Sequence, residues 1–122
     1  MTVKELYDSI EGNYDSALRI LQMDRMVDRF IRKFLGEESF GKLMAAYEAG
    51  DNTGIFESSH AMKGVSANLG LDKLSAIAGE IADEFRPGRE RRMDDAALSA
   101  KLEELKALYA KTQEGIRKYA EQ

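Results

Sequence analysis

Apolar residues recur at helical spacing along almost the whole chain, and no stretch alternates apolar and polar residues as a half-buried strand would. The final segment has the clearest period. Leu98, Leu102, Leu105, Tyr109, Thr112, Ile116 and Tyr119 follow one another at steps of four and three, which places them on one helical face. The spacing predicts a helix over 94–121, about 40 Å long at 1.5 Å per residue. Leu74, Ile77, Ile81 and Phe85 predict another over 71–86, and Ile55, Met62, Ser66 and Leu69 one over 52–69. Phe40, Leu43, Met44 and Tyr47 mark 38–49, and Met26, Phe30 and Phe34 mark 24–35.

Turn and capping residues fall between these stripes. Thr2 with Glu5 is a T-x-x-E capping box for a short first helix that Gly12 stops. Asn13 is placed to cap a second short helix to about Leu21, and Asp24 a third that Gly36 closes. Gly50 precedes Asp51, a further cap; Gly70 suits the left-handed turn after a helix, and Asp72 restarts one. The single proline, Pro87, lies in FRPGRERRMDD, the longest loop, whose four arginines read as a solvated connection. The expected fold is all-α: an antiparallel four-helix bundle with short extra N-terminal helices, in a single domain over 1–122. Its members are 24–35 with 38–49, then 52–69, 71–86 and 94–121.

Composition narrows the chemistry. A chain of 122 residues is long enough for one core. Without cysteine there is no disulfide framework, thiolate metal site or thiol nucleophile. One histidine leaves only carboxylates as further metal ligands, and DNTGIFESSH lacks the acidic spacing of a calcium loop, so no metal is expected. No apolar run approaches the roughly 20 residues of a membrane span, and MTVKELYDSI is unlike a signal peptide; a cytoplasmic location is expected. A net charge of −4 argues against nucleic acid as the main partner. A capped helix starting at Met1 favours a stand-alone protein, and a monomer is expected.

His60 is the only histidine. On a helical wheel with Ile55 at zero, the core stripe of Met62, Ser66 and Leu69 stays within about 40°, widened by Ser58, Ser59 and Val65. His60 falls at about 140°, with Phe56, Lys63, Gly64 and Ala67 between roughly 80° and 180°. The imidazole is therefore expected to reach solvent in the middle of a helix. Gly64, one turn on, costs about 1 kcal/mol of helix propensity relative to alanine, a cost that makes sense where a side chain would obstruct something. With Ala67 it leaves room beside the ring for a second macromolecule. Histidine is largely neutral and nucleophilic at neutral pH, and the Lys63 ammonium can offset charge on an attached phosphoryl group. Phe56 can equally contribute apolar contact to a partner or pack on a neighbouring helix. Arg29, Arg32 and Lys33 lie off their helix's apolar stripe and read as solvated.

The stretch His60-Ala61-Met62-Lys63-Gly64-Val65-Ser66-Ala67-Asn68-Leu69-Gly70 resembles the signature of histidine phosphotransfer (HPt) domains: H-x-x-K-G, small and polar residues, then an apolar residue and glycine. GNYDSALRIL, DRFIRKFL and AGDNTGIFESSH resemble the same family, so the likeness covers most of 2–86. The resemblance implies that His60 accepts phosphate from an aspartate of a receiver domain and passes it to another receiver. Lys63 would assist electrostatically, with Phe56, Gly64 and Ala67 on the docking surface. The partners implied are receiver domains of response regulators or hybrid histidine kinases. The implied chain has no kinase activity and no cofactor of its own, and magnesium belongs to the receiver. Some members orient the imidazole with a polar side chain on the next helix; the ungapped equivalent here is Ala82, which cannot, leaving Asp83 or Glu80 as substitutes.

Two other classes fit the chain less well. A non-catalytic adaptor bundle with an inert His60 leaves the His60, Lys63, Gly64 and Ala67 face unexplained. A hydrolase using Ser58 or Ser59 is disfavoured because adjacent helical residues point about 100° apart, and no nucleophile elbow or glycine-rich phosphate loop is present.

Overall fold

A computed structural model describes all 122 residues. Its elements are α1 (Val3–Ser9), α2 (Tyr14–Leu21), α3 (Asp24–Lys33), a 3₁₀ turn (Phe34–Gly36), α4 (Ser39–Ala49), α5 (Asn52–Asn68), α6 (Asp72–Glu84) and α7 (Asp95–Ala120). The all-α expectation is met. Short connections between α4, α5 and α6 force each to reverse on its predecessor. As a result α5 lies between α4 and α6, and α6 between α5 and α7. The two segments expected to share one bundle position divide it: α4 packs on α5, while α3 and the 3₁₀ turn pack on α7. Phe40 and Tyr109 bridge α4 to α7 with stacked rings 4.1 Å apart. A cluster of 22 buried apolar residues draws on all seven α-helices.

Most predicted caps form. Thr2 and Glu5 make the reciprocal capping box, and Asn13 and Asp51 accept backbone N–H groups at the starts of α2 and α5; Asp94, not among the predicted caps, does the same for α7. Asp24 does not cap α3. Met23 occupies that position without a side-chain bond, because the Asp24 carboxylate instead accepts the Tyr14 hydroxyl. The apolar stripe of α3 also differs from the 26–30–34 row: Val27, Ile31 and Phe34 are buried, while Met26 and Phe30 flank them half-buried. Burying a Val, Ile or Phe side chain contributes about 1.5–3 kcal/mol, so the row that meets α7 sets the rotation. The start of α4 is served from outside the helix, where the Glu37 carboxylate accepts from Ser39 N and Phe40 N.

The N-terminal helices close the end of the bundle where α5 turns into α6. Tyr7, fully buried, donates its hydroxyl to the Leu69 carbonyl at 2.7 Å. Asn13 N donates to the Gly70 carbonyl at 2.7 Å, and Asn13 Nδ2 to Asp72 at 3.1 Å. Gly70 sits at φ +69°, and a Cβ there would lie 2.3 Å from the Asn13 carbonyl oxygen. Handedness and space both require glycine. Glu11 joins the same end to α6 and α7 through Lys73 at 2.6 Å and Lys111 at 3.0 Å.

Gly70→Ala combines left-handed strain with a backbone clash, so it should destabilise the fold by at least about 2 kcal/mol in urea titration. Hydrogen bonds from Lys73 and Lys111 hold the Glu11 carboxyl down from its ordinary 4.5 to about 2. Because the folded value is the lower one, the contribution is complete above the unfolded value and is lost as pH falls through about 2. Urea midpoints followed into acid should drop less steeply in Glu11→Gln than in wild type. That difference should shrink with added salt, because the pair is exposed.

Candidate functional site

On α5, Ile55, Ser58, Ser59, Met62 and Ser66 face inward and are buried, as the wheel predicts. The serines enter the core because their hydroxyls bond back along the helix: Ser58 to the Gly54 carbonyl at 2.6 Å and Ser59 to the Ile55 carbonyl at 2.6 Å. With that side committed, His60 emerges exposed at mid-helix.

The neighbour of the imidazole is an aromatic ring. Phe56, one turn earlier and half-buried, stacks on His60 with centroids 5.5 Å apart and planes inclined by 18°. The side-chain hydrogen bonds around this part of α5 are those of Ser58, Ser59 and the Ser75 hydroxyl to the Lys63 carbonyl; none involves His60. The polar substitutes for Ala82 do not serve. Ala82 is buried, Glu80 pairs with Lys101 at 2.7 Å and Asp83 with Arg86 at 2.9 Å. Both carboxylates are drawn off by cations on α7 and on the loop after α6.

Lys63 is exposed, and its stem crosses α6 over Gly79, where an added Cβ would stand 3.2 Å from Lys63 Cδ. The buried glycine makes a bed for the methylenes, while the ammonium forms no ion pair and contributes to holding Asp83 below the usual carboxylate range. Arg86 is the larger cause of that depression. Gly64 is exposed, and an added Cβ would meet nothing within 4 Å. Ala67, half-buried, continues the open strip. His60 and Phe56 are thus in direct contact, and Lys63, Gly64 and Ala67 share their face.

Three features were not read from the sequence. Gly79 is one. The second is Arg86, whose guanidinium carbon lies 5.5 Å from the Phe56 ring centroid. The arginine loop is exposed, as expected, but it is also tied down: the buried Glu84 carboxylate accepts Arg92 N at 2.8 Å and Met93 N at 2.6 Å. These bonds, that of Met93 first, lower its pKa. The third is an apolar groove of about 500 Å³ between α2, α3 and the C-terminal part of α5, lined by Ile20, Leu21, Phe30, Val65 and Leu69 among others. Ile20 is 48% exposed at its edge. Of the solvated cations, Arg32 pairs with Asp28 at 3.2 Å and lies over the Tyr119 ring.

No side-chain group of three or more metal-ligating residues forms, and no helix is long and apolar enough to cross a membrane.

Gly64→Ala should stabilise the folded protein by up to about 1 kcal/mol, since the methyl meets only solvent; the urea midpoint measures it. A family model described as Hpt domain matches residues 17–115, a span that contains the whole His60 face and Arg86. Comparison with curated proteins and with solved structures gave no match.

Proposed function

This chain belongs to the Hpt domain family, and on that premise we propose that it is a phosphoryl carrier whose His60 takes the group from an aspartate of one receiver domain and yields it to another. The observation that carries the proposal is His60 standing exposed at mid-helix, one turn from a glycine with nothing above it, inside the matched span.

Phosphoryl transfer proceeds through a loose, in-line transition state, so positioning and charge supply most of the catalysis. In the forward step an imidazole nitrogen attacks the phosphorus of the acyl phosphate. The N–P bond forms as the P–O bond to the aspartyl carboxylate breaks, and the carboxylate leaves with that electron pair. The reverse sequence delivers the group to the next receiver. The chain contributes a rigid support for the nucleophile, an unobstructed approach over Gly64 and Ala67, and a cation on a flexible stem. Lys63 lies across Gly79 with no ion-pair partner, and its ammonium is free to swing onto the phosphoryl oxygens once they arrive. The carrier has no nucleotide chemistry in this scheme and depends on its partners for the energy-rich bond.

The test uses a panel of receiver domains charged with acetyl phosphate and mixed with the protein. Acid-labile, base-stable label should appear on wild type and be absent from His60→Gln. Label that is equal on both, or absent from wild type across the panel, overturns the proposal. Gly64→Ala should lose about tenfold or more in transfer rate through displacement of the docked partner, although it folds more stably.

A further inference from the structure

The imidazole of a phosphoryl carrier must present one nitrogen along the line of attack, and a freely rotating ring spends little time there. In this chain Glu80 and Asp83 are paired with Lys101 and Arg86, and Ala82 has no polar atom. The aromatic stack is what remains. We infer that Phe56 is a positioning residue for His60: it orients the imidazole by near-parallel offset stacking in place of a hydrogen bond, and Arg86 braces it. The inference rests on the carrier reading of His60.

The geometry supports each link. Phe56 and His60 are four residues apart on α5, so their side chains meet on one helical face, and the planes are within 18° of parallel. Near-parallel offset contact is a favoured aromatic arrangement; it restricts the tilt of the imidazole while leaving both nitrogens, which lie in the ring plane, uncovered. A hydrogen-bonding orienter would instead occupy one nitrogen and select a tautomer. Arg86 holds the Phe56 end. Its guanidinium lies over the phenyl ring at 5.5 Å, attracted by the ring's π-face, and is itself fixed by Asp83 at 2.9 Å. Asp83 therefore acts three contacts away from the imidazole: it braces Arg86, Arg86 braces Phe56, and Phe56 sets the ring. The loop supplying Arg86 is tied back through Glu84 to Arg92 N and Met93 N, so the brace is attached to an ordered segment.

The single histidine makes the stack directly observable, because its two carbon-bound ring protons are the only ones of their kind in the spectrum. In wild type these protons should be shifted upfield by the Phe56 ring current. The shift should vanish in Phe56→Leu and persist in Phe56→Tyr. In single-turnover transfer from a charged receiver, Phe56→Leu should lower the maximal rate by about two- to tenfold, the range an aromatic pair can supply. The half-saturating receiver concentration should stay unchanged, and Phe56→Tyr should restore the rate. Arg86→Gln should reduce both the upfield shift and the rate partway.

Identical His60 resonances in wild type and Phe56→Leu would overturn the stack. A lost shift with an unchanged maximal rate would overturn the positioning role, as would a change confined to half-saturation, which marks a docking contact only. A wild type that takes no phosphate sinks the carrier reading and, with it, the positioning role, while the resonance comparison still reports whether the rings stack. Matching urea midpoints for the variants exclude general unfolding as the cause.

Discussion

The burial of one side of α5 between α4 and α6 governs the rest of the molecule. A straight helix cannot turn residue 60 inward without turning residues 55, 62 and 66 outward, because their angular offsets are set by the backbone. Ile55, Met62 and Ser66 are buried. The nucleophile's exposure is therefore enforced by apolar contacts on the far side of its own helix, at no cost in local strain. The N-terminal clasp secures the arrangement by fixing the end of α5: Tyr7 holds the Leu69 carbonyl and Asn13 the Gly70 carbonyl.

A helix packed on two sides has edges as well as faces, and the site uses both. One edge borders α6, where Gly79 admits the Lys63 stem and Asp83 holds Arg86. The open face carries His60, Gly64 and Ala67. Small residues do opposite jobs across this short distance. Gly79 is buried so that another side chain can lie on it, whereas Gly64 is bare toward solvent.

How much of this was legible in the sequence follows from range. The bounds of α5, its inward stripe and the outward imidazole depend only on local spacing, and they were read within a residue or two. The caps at Thr2, Asn13 and Asp51 were legible for the same reason. Asp24 looked like those caps, but a tyrosine ten residues earlier in the chain engages its carboxylate. The rotation of α3 was misread because two adjacent apolar rows compete on that helix and only the surface of α7 chooses between them. Gln113 looks like a surface residue, yet it is buried, donating to the Phe34 carbonyl and the Tyr109 hydroxyl. Arg86 is separated from Phe56 by thirty residues, so no periodicity links them. Spacing alone could not tell which face of the neighbouring helix the candidates Glu80 and Asp83 would serve.

The make-up of α5 has a broader meaning for how such a site can arise or be moved. Between Asn52 and Asn68 the helix contains two glycines, three serines, a threonine and an asparagine at each end, with few strong helix formers. Short helices in water are marginal even when built from alanine, so this segment excised as a peptide would hold almost no helical order. Its rigidity is lent by its neighbours. Transplanting the eleven-residue signature into another helix would carry over the reactive group without the stiffness that aims it, so the heritable unit is the bundle, and the motif is only its visible edge.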